Sequence, residues 1–153
     1  MTVDMARRQT SVSRVIGATP KKIFEVLSDA SLHSVIDGSG TVKGARGGMQ
    51  RLELGSKFGM NMRMGLPYVI GNEVVEFEQD RLIAWQHIGH HRWRFELEPA
   101  PEGGTLVTET FDWSTSRSPK LIEIVGYPSR HEPNMERTLE RLDAFVTNRA
   151  QAL

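Results

Sequence analysis

The sequence predicts an α+β domain in which one long amphipathic helix lies across an antiparallel sheet. Three observations carry this. About six strand-like segments between residues 41 and 113 are joined by short turns, which favours antiparallel neighbours. Before them, one strand is followed by two short helical segments. The chain then closes on "NMERTLERLDAFVTNRA", where Met135, Leu139, Leu142 and Val146 fall at helical spacing opposite a face of Glu and Arg. A helix with one apolar stripe must bury it, and the sheet is the available surface.

The elements follow in order. "SVSRVIGA" (11–18) has the β-branched content of a strand. In "TPKKIFEVLSD", Thr19 suits an N-cap and Pro20 the first helical position, while Ile23, Phe24 and Leu27 share a face. "ASLHSVID" reads as a second short helix presenting Leu32, Val35 and Ile36, stopped by the glycines of "DGSG". "TVKGARGG" and "QRLELGSKF" read as strands broken by glycines. "KFGMNMRMG" alternates cleanly, with Phe58, Met60, Met62 and Met64 on one face and Lys57, Asn61 and Arg63 on the other. "YVIGNEVVEFE", "RLIAWQHIG", "HRWRFELE" and "TLVTETFDW" complete the strands, with turns at Gln79-Asp80 and "PAPEGG". Ser118-Pro119 is a further helix-start signal, after which "KLIEIVGYPSRHEP" reads as irregular.

Length and composition bound the function. The 153 residues fit one domain, expected over 10–150 behind a flexible lead-in at 1–9. The absence of cysteine excludes disulfides, thiolate catalysis, zinc–cysteine sites and iron–sulfur clusters. Nineteen basic residues balance nineteen acidic ones, so charge gives no reason to expect nucleic acid or an anionic membrane as the main partner. The start, "MTVDMARRQTSVSR", lacks the apolar region of a signal peptide, and no apolar run approaches the roughly 18 residues of a membrane span. The expectation is a cytoplasmic protein without integral membrane association, monomeric or dimeric.

The chemistry concentrates in "IAWQHIGHHRWRF" (83–95), with three histidines and two tryptophans. Odd positions read Ile83, Trp85, His87, Gly89, His91, Trp93, Phe95 and Leu97, whereas Arg92, Arg94, Glu96 and Glu98 form a solvent face. A hairpin centred on Gly89 puts Trp85 opposite Trp93 and Ile83 opposite Phe95. Gly89-His90 could instead form a two-residue turn that splits the aromatics between faces, but eight alternating positions outweigh one dipeptide. His87 and His91 then face inward and His90 lies in the turn. Two inward imidazoles without a converging third ligand do not make a metal site, so no metal or other cofactor is expected.

Glu109 shares parity with Val107, Phe111 and Trp113, which would set a carboxylate on the apolar face with a raised pKa. It could then donate a proton, anchor a ligand's polar group, or pair with His87 or Arg14. The other register turns Leu106, Thr108 and Thr110 inward and leaves Glu109 solvated. Periodicity leaves both open. The glycine-rich stretches lack the phosphate-loop spacing and do not open a helix after a parallel strand, so they read as turns.

"VIGATPKKIFEVLSDASLHSVIDGSGTV" resembles the opening of the START-like, helix-grip superfamily, also labelled SRPBCC or polyketide cyclase/dehydrase-like. The likeness lies in a strand, then Ala-x-Pro-x-x-Ile-Phe, then a short helix pair ending in a glycine turn. "RLIAWQ", "RWRFELEPAPEGGTLVTETFDW" and "MERTLERLDAFV" are similar to that group's later strands and closing helix, so the resemblance covers nearly the whole chain. It implies a curved antiparallel sheet of about seven strands gripping the C-terminal helix, two short helices at one end, and a cavity between sheet and helix. Its members include lipid and sterol carriers, hormone binders and polyketide aromatase/cyclases; no cyclase residue matches a position here.

The expected function is binding of a hydrophobic or amphiphilic small molecule such as a lipid, polyketide or isoprenoid. Phe58, Met60, Met62, Trp85, Trp93 and Phe95 would form the sheet wall, with Met135 and Leu139 on the helix. Leu121, Ile122, Val125 and Tyr127 are candidates for the mouth, and His87, His91 and Glu109 for the polar groups that orient the ligand. A cyclase or dehydratase using His87 or Glu109 as acid or base is the alternative. An adaptor or toxin-like protein working through Arg92, Arg94, Glu96 and Glu98 is a third.

Overall fold

Strand pairing in the computed structural model, which describes residues 2–39, 42–45, 51–87, 89–124 and 126–148, builds one antiparallel sheet. The strands are β1 (Thr2–Asp4), β2 (Gln9–Ile16), β3 (Val42–Ala45), β4 (Lys57–Met64), β5 (Leu66–Glu78), β6 (Leu82–Gln86), β7 (Arg92–Pro99) and β8 (Thr105–Asp112). Their order across the sheet is β1-β2-β8-β7-β6-β5-β4-β3. The helices are α1 (Pro20–Leu27), α2 (His33–Ile36, entered through a 3-10 turn at Ala30–Leu32), α3 (Pro119–Ile124) and α4 (Tyr127–Asn148). This is the helix-grip arrangement, with one short strand beyond the seven expected. That strand, β1, comes from the segment expected to be a flexible lead-in and pairs with Gln9 to Ser11 of β2.

Local chemistry starts the elements and packing completes them. Thr19 caps α1, its Oγ1 accepting from the Lys22 amide at 3.2 Å, and Ile23, Phe24 and Leu27 are fully buried. Met135, Leu139, Leu142 and Val146 of α4 are buried against β2 and β8, where Val12, Ile16 and Val107 meet them in the core. The hairpin centres on Gly89: Trp85 lies opposite Trp93 and Ile83 opposite Phe95. His90 takes a left-handed φ of 66° there, its amide donating to the His87 carbonyl at 3.0 Å.

Four expectations are corrected. "QRLELGSKF" is not strand throughout: Arg51 makes one isolated bridge to Asp29, a turn follows at Leu54-Gly55, and β4 begins only at Lys57. In α2 the buried residues are His33 and Ile36, while Val35 is exposed. The segment read as irregular before residue 134 is helical in α3 and in the first turns of α4. Pro128 falls in the first turn of α4, where no intrahelical donor is needed, and Pro133 forfeits one bond that the packing of Met135 and Leu139 offsets. Finally, Arg92 and Arg94 do sit on the outer face, but they are not free in solvent. Glu76 accepts from Arg92 Nη1 at 2.9 Å and from Arg94 Nε and Nη2 at 3.0 and 2.7 Å. Asp112 takes a further bond from Arg94 at 3.2 Å, and the Arg94 side chain is only 14% exposed. Glu96 and Glu98 alone behave as a solvent face.

Candidate ligand cavity

The inner face of the sheet, α2, α3 and α4 enclose a cavity of about 560 Å³. Alternation dictates its sheet wall. Phe58, Met60 and Met62 of β4 face inward opposite Asn72, Ile70 and Tyr68 of β5, and Trp85, Trp93, Phe95, Glu109 and Phe111 continue the wall. Met135 contributes from α4, and Leu121 and Ile122 from α3, with Leu121 59% exposed. Leu139 does not reach the wall; it is packed in the core beneath it. Val125 lies outside the described residues, as do the side chains of Tyr127 and Met64.

Aromatic contacts fix the wall. Trp85 stacks on the His33 ring at 4.6 Å and lies 5.9 Å from Phe58 in edge geometry. Trp93 stands edge-on to His131 at 5.0 Å, and His131 edge-on to Phe111 at 4.6 Å. His91 joins them, 4.9 Å from His87 and 5.4 Å from Phe111. The sequence reading did not name His33, Asn72, Phe111 or His131 as lining residues, although it gave Phe111 the same parity as Glu109. Asn72 could have been found from the parity of its neighbours and His33 from its helical spacing to Ile36, but His131 lay in the segment read as irregular.

Burial holds His33, His87, His91 and His131 neutral. Burial lowers the pKa of His87 to about 3, helped by repulsion from His91 and His131. Burial also lowers His131 to about 4, with His91 adding to the effect, and lowers His91 and His33. His87 Nδ1 is bonded to Asn72 Oδ1. An amide oxygen only accepts, so Nδ1 carries the proton and Nε2 is left as an acceptor. His33 is fixed the opposite way, its Nε2 donating to the Leu27 carbonyl at 2.9 Å. Among the described residues no three His, Asp or Glu side chains form a group that could hold a metal ion.

Glu109 faces inward, which settles the choice of register. It is 4% exposed between Phe95 on β7 and Val12 on β2, and its Oε2 has no hydrogen-bond partner among the described residues. Neither expected partner is engaged with it: His87 is bonded to Asn72, and Arg14 to Asp143 at 2.8 Å. Burial, and secondarily the negative charge of Asp37, raise its pKa well above the usual carboxylate range. At the rim, Arg117 donates to His90 Nε2 at 3.0 Å and its amide bonds the Gly89 carbonyl at 3.0 Å, tying the β6–β7 turn to the loop before α3.

Comparison with known proteins follows the same lines. Residues 7–146 match the family model described as polyketide cyclase / dehydrase and lipid transport. The chain is 34% identical over 154 aligned positions to the uncharacterized protein Rv0088 of Mycobacterium tuberculosis, covering 97% of this chain and 69% of that one. Solved structures share the fold at low identity. Protein NE0264 from Nitrosomonas europaea superposes with a TM-score of 0.70 at 17% identity, covering 97% of this chain and 99% of that one. Protein Ms6760 from Mycobacterium smegmatis gives 0.69 at 13%, covering 95% of each. No described helix is long and apolar enough to cross a membrane. From β2 to the last turns of α4, this chain belongs to the polyketide cyclase / dehydrase and lipid transport family.

Proposed function

We propose that the protein binds a hydrophobic or amphiphilic small molecule between the sheet and α4. One observation carries the reading: a cavity of about 560 Å³ whose exposed lining is mostly apolar, from Trp, Phe, Met, Ile and Leu side chains, with histidines, Asn72 and Glu109 set among them. That size and lining suit a small organic ligand, and methionine adapts to irregular apolar shapes. Native mass spectrometry of gently purified protein should detect a bound apolar or amphiphilic molecule. No adduct, together with no saturable uptake of any apolar probe, would overturn the reading.

A second reading, a cyclase or dehydratase, draws on the acceptor Nε2 of His87 and the unpartnered carboxyl of Glu109 in one cavity. The two groups stand apart on the wall, Glu109 lying across from Phe95 and Ile83 with His87 further along the hairpin, so each could move a proton only at its own end of an enolisable ligand. Deuterium uptake from solvent next to the carbonyl of a long-chain ketone, followed by NMR, tests it. Exchange above the buffer rate that His87→Ala abolishes would put the enzyme first. The adaptor reading loses ground because Arg92 and Arg94, on which it relied, are bonded to Glu76 and Asp112.

A further inference from the structure

Glu109 is a buried acid in a cavity with almost no positive charge. Arg117 at the exposed rim is the only Arg or Lys among the described lining residues. The outer-face arginines are on the other side of the sheet, and Arg14 is bonded to Asp143. Asp37, also on the lining, adds negative potential. An anionic group brought inside would therefore lose its hydration without meeting a counter-charge. A ligand inserted tail-first would leave the Glu109 carboxyl against methylene groups, still unpartnered. A carbonyl or hydroxyl oxygen inserted first would accept from that carboxyl.

We propose that the cavity selects an uncharged amphiphile inserted polar end first, its carbonyl or hydroxyl oxygen received by Glu109, and excludes the corresponding carboxylate. This rests on the ligand-binding reading above and names the ligand class. The Glu109 carboxyl then acts as the donor, which suits an alcohol or ketone better than a hydrocarbon.

The test compares undecanone, undecanol and undecanoate by tryptophan emission at about pH 8, where the fatty acid is ionised. Undecanone and undecanol should bind at least about tenfold more tightly than undecanoate, the loss expected from an unpaired buried charge. Glu109→Leu, with folding checked by circular dichroism, should weaken undecanone by up to about tenfold, and Glu109→Gln, which keeps a donor, by less than about threefold. Equal or tighter binding of undecanoate, or unchanged undecanone affinity in Glu109→Leu, overturns the proposal. Should undecanoate bind and lose affinity in Arg117→Gln, the head group lies at the rim and the proposal is wrong. If a plain hydrocarbon dye binds but none of the three probes does, the carrier reading survives and this inference fails. If nothing binds, both fall together.

Discussion

His131 shows how one side chain changes the character of a wall. Its ring packs edge-on against Trp93 and Phe111, so it contributes as an aromatic surface only while neutral. In the unfolded chain it titrates near 6.5, whereas in the fold its pKa is lowered to about 4, and that of His87 to about 3. Below about pH 6.5 the unfolded state therefore binds more protons, and the stability due to neutral burial falls until the folded pKa is reached. His33 and His91 are shifted in the same direction. Glu109 has the opposite sign, its raised pKa adding stability as the pH falls, and the lowered carboxylates Glu76 and Asp112 lose theirs only at the acid end. The melting temperature should fall between about pH 6.5 and pH 4, and His131→Phe should flatten that fall. Equal slopes in the two proteins would show that His131 is not buried as a neutral ring. At neutral pH, Glu109→Leu should hold or raise the melting temperature, because it removes an unpartnered buried carboxyl.

At the scale of elements, alternation fixed which face each strand residue takes but not what waits there. Ala84 is the example. It sits between Glu76 and Arg94 in the cross-strand row, and being small it lets the two charges meet over β6. The charge pairing joins β5, β7 and β8, whose residues are far apart in sequence, so period-two reasoning saw only a polar face. Glu76→Gln should leave both arginines underpaired and cost about 1–3 kcal/mol in chemical denaturation, moderated by partial solvent access. Glu96→Gln, on exposed surface, should cost less than about 0.5 kcal/mol. Strands, caps and the apolar stripe of α4 were legible because each is set by neighbours within a turn or two. The start of α4 was not, since two prolines argue locally against the helix that distant packing imposes. Beside it, Gly38 donates to Thr138 Oγ1 at 2.9 Å, and a Cβ at Gly38 would come within 2.6 Å of the Thr138 amide nitrogen. Gly38→Ala must push α4 away from α2, and a loss of about 1–3 kcal/mol is expected in the same assay.

The whole molecule places its three tryptophans unequally, and that makes the cavity measurable. Trp85 and Trp93 line it, whereas Trp113 is fully buried behind Phe111 with its Nε1 donating to Glu123 at 3.0 Å. The candidate sheet wall was legible in the sequence because tryptophan parity along one hairpin was enough to place it, and the apolar stripe of α4 gave Met135; the share of α2 and of His131 was not, because it depends on how layers stack. A molecule that enters between sheet and helix must touch one of the two lining indoles. Titration with an apolar probe should change tryptophan emission saturably, and Trp113→Phe should keep most of that response. Trp85→Phe should remove much of it. Met62→Trp adds bulk on the half-buried β4 wall, so it should weaken probe binding with the fold retained by circular dichroism, at a cost of up to about 1–3 kcal/mol where the new ring overpacks. A response unchanged in Trp85→Phe but abolished in Trp113→Phe would put the ligand behind Phe111 rather than beneath α4, and the cavity would lose its claim to be the binding site.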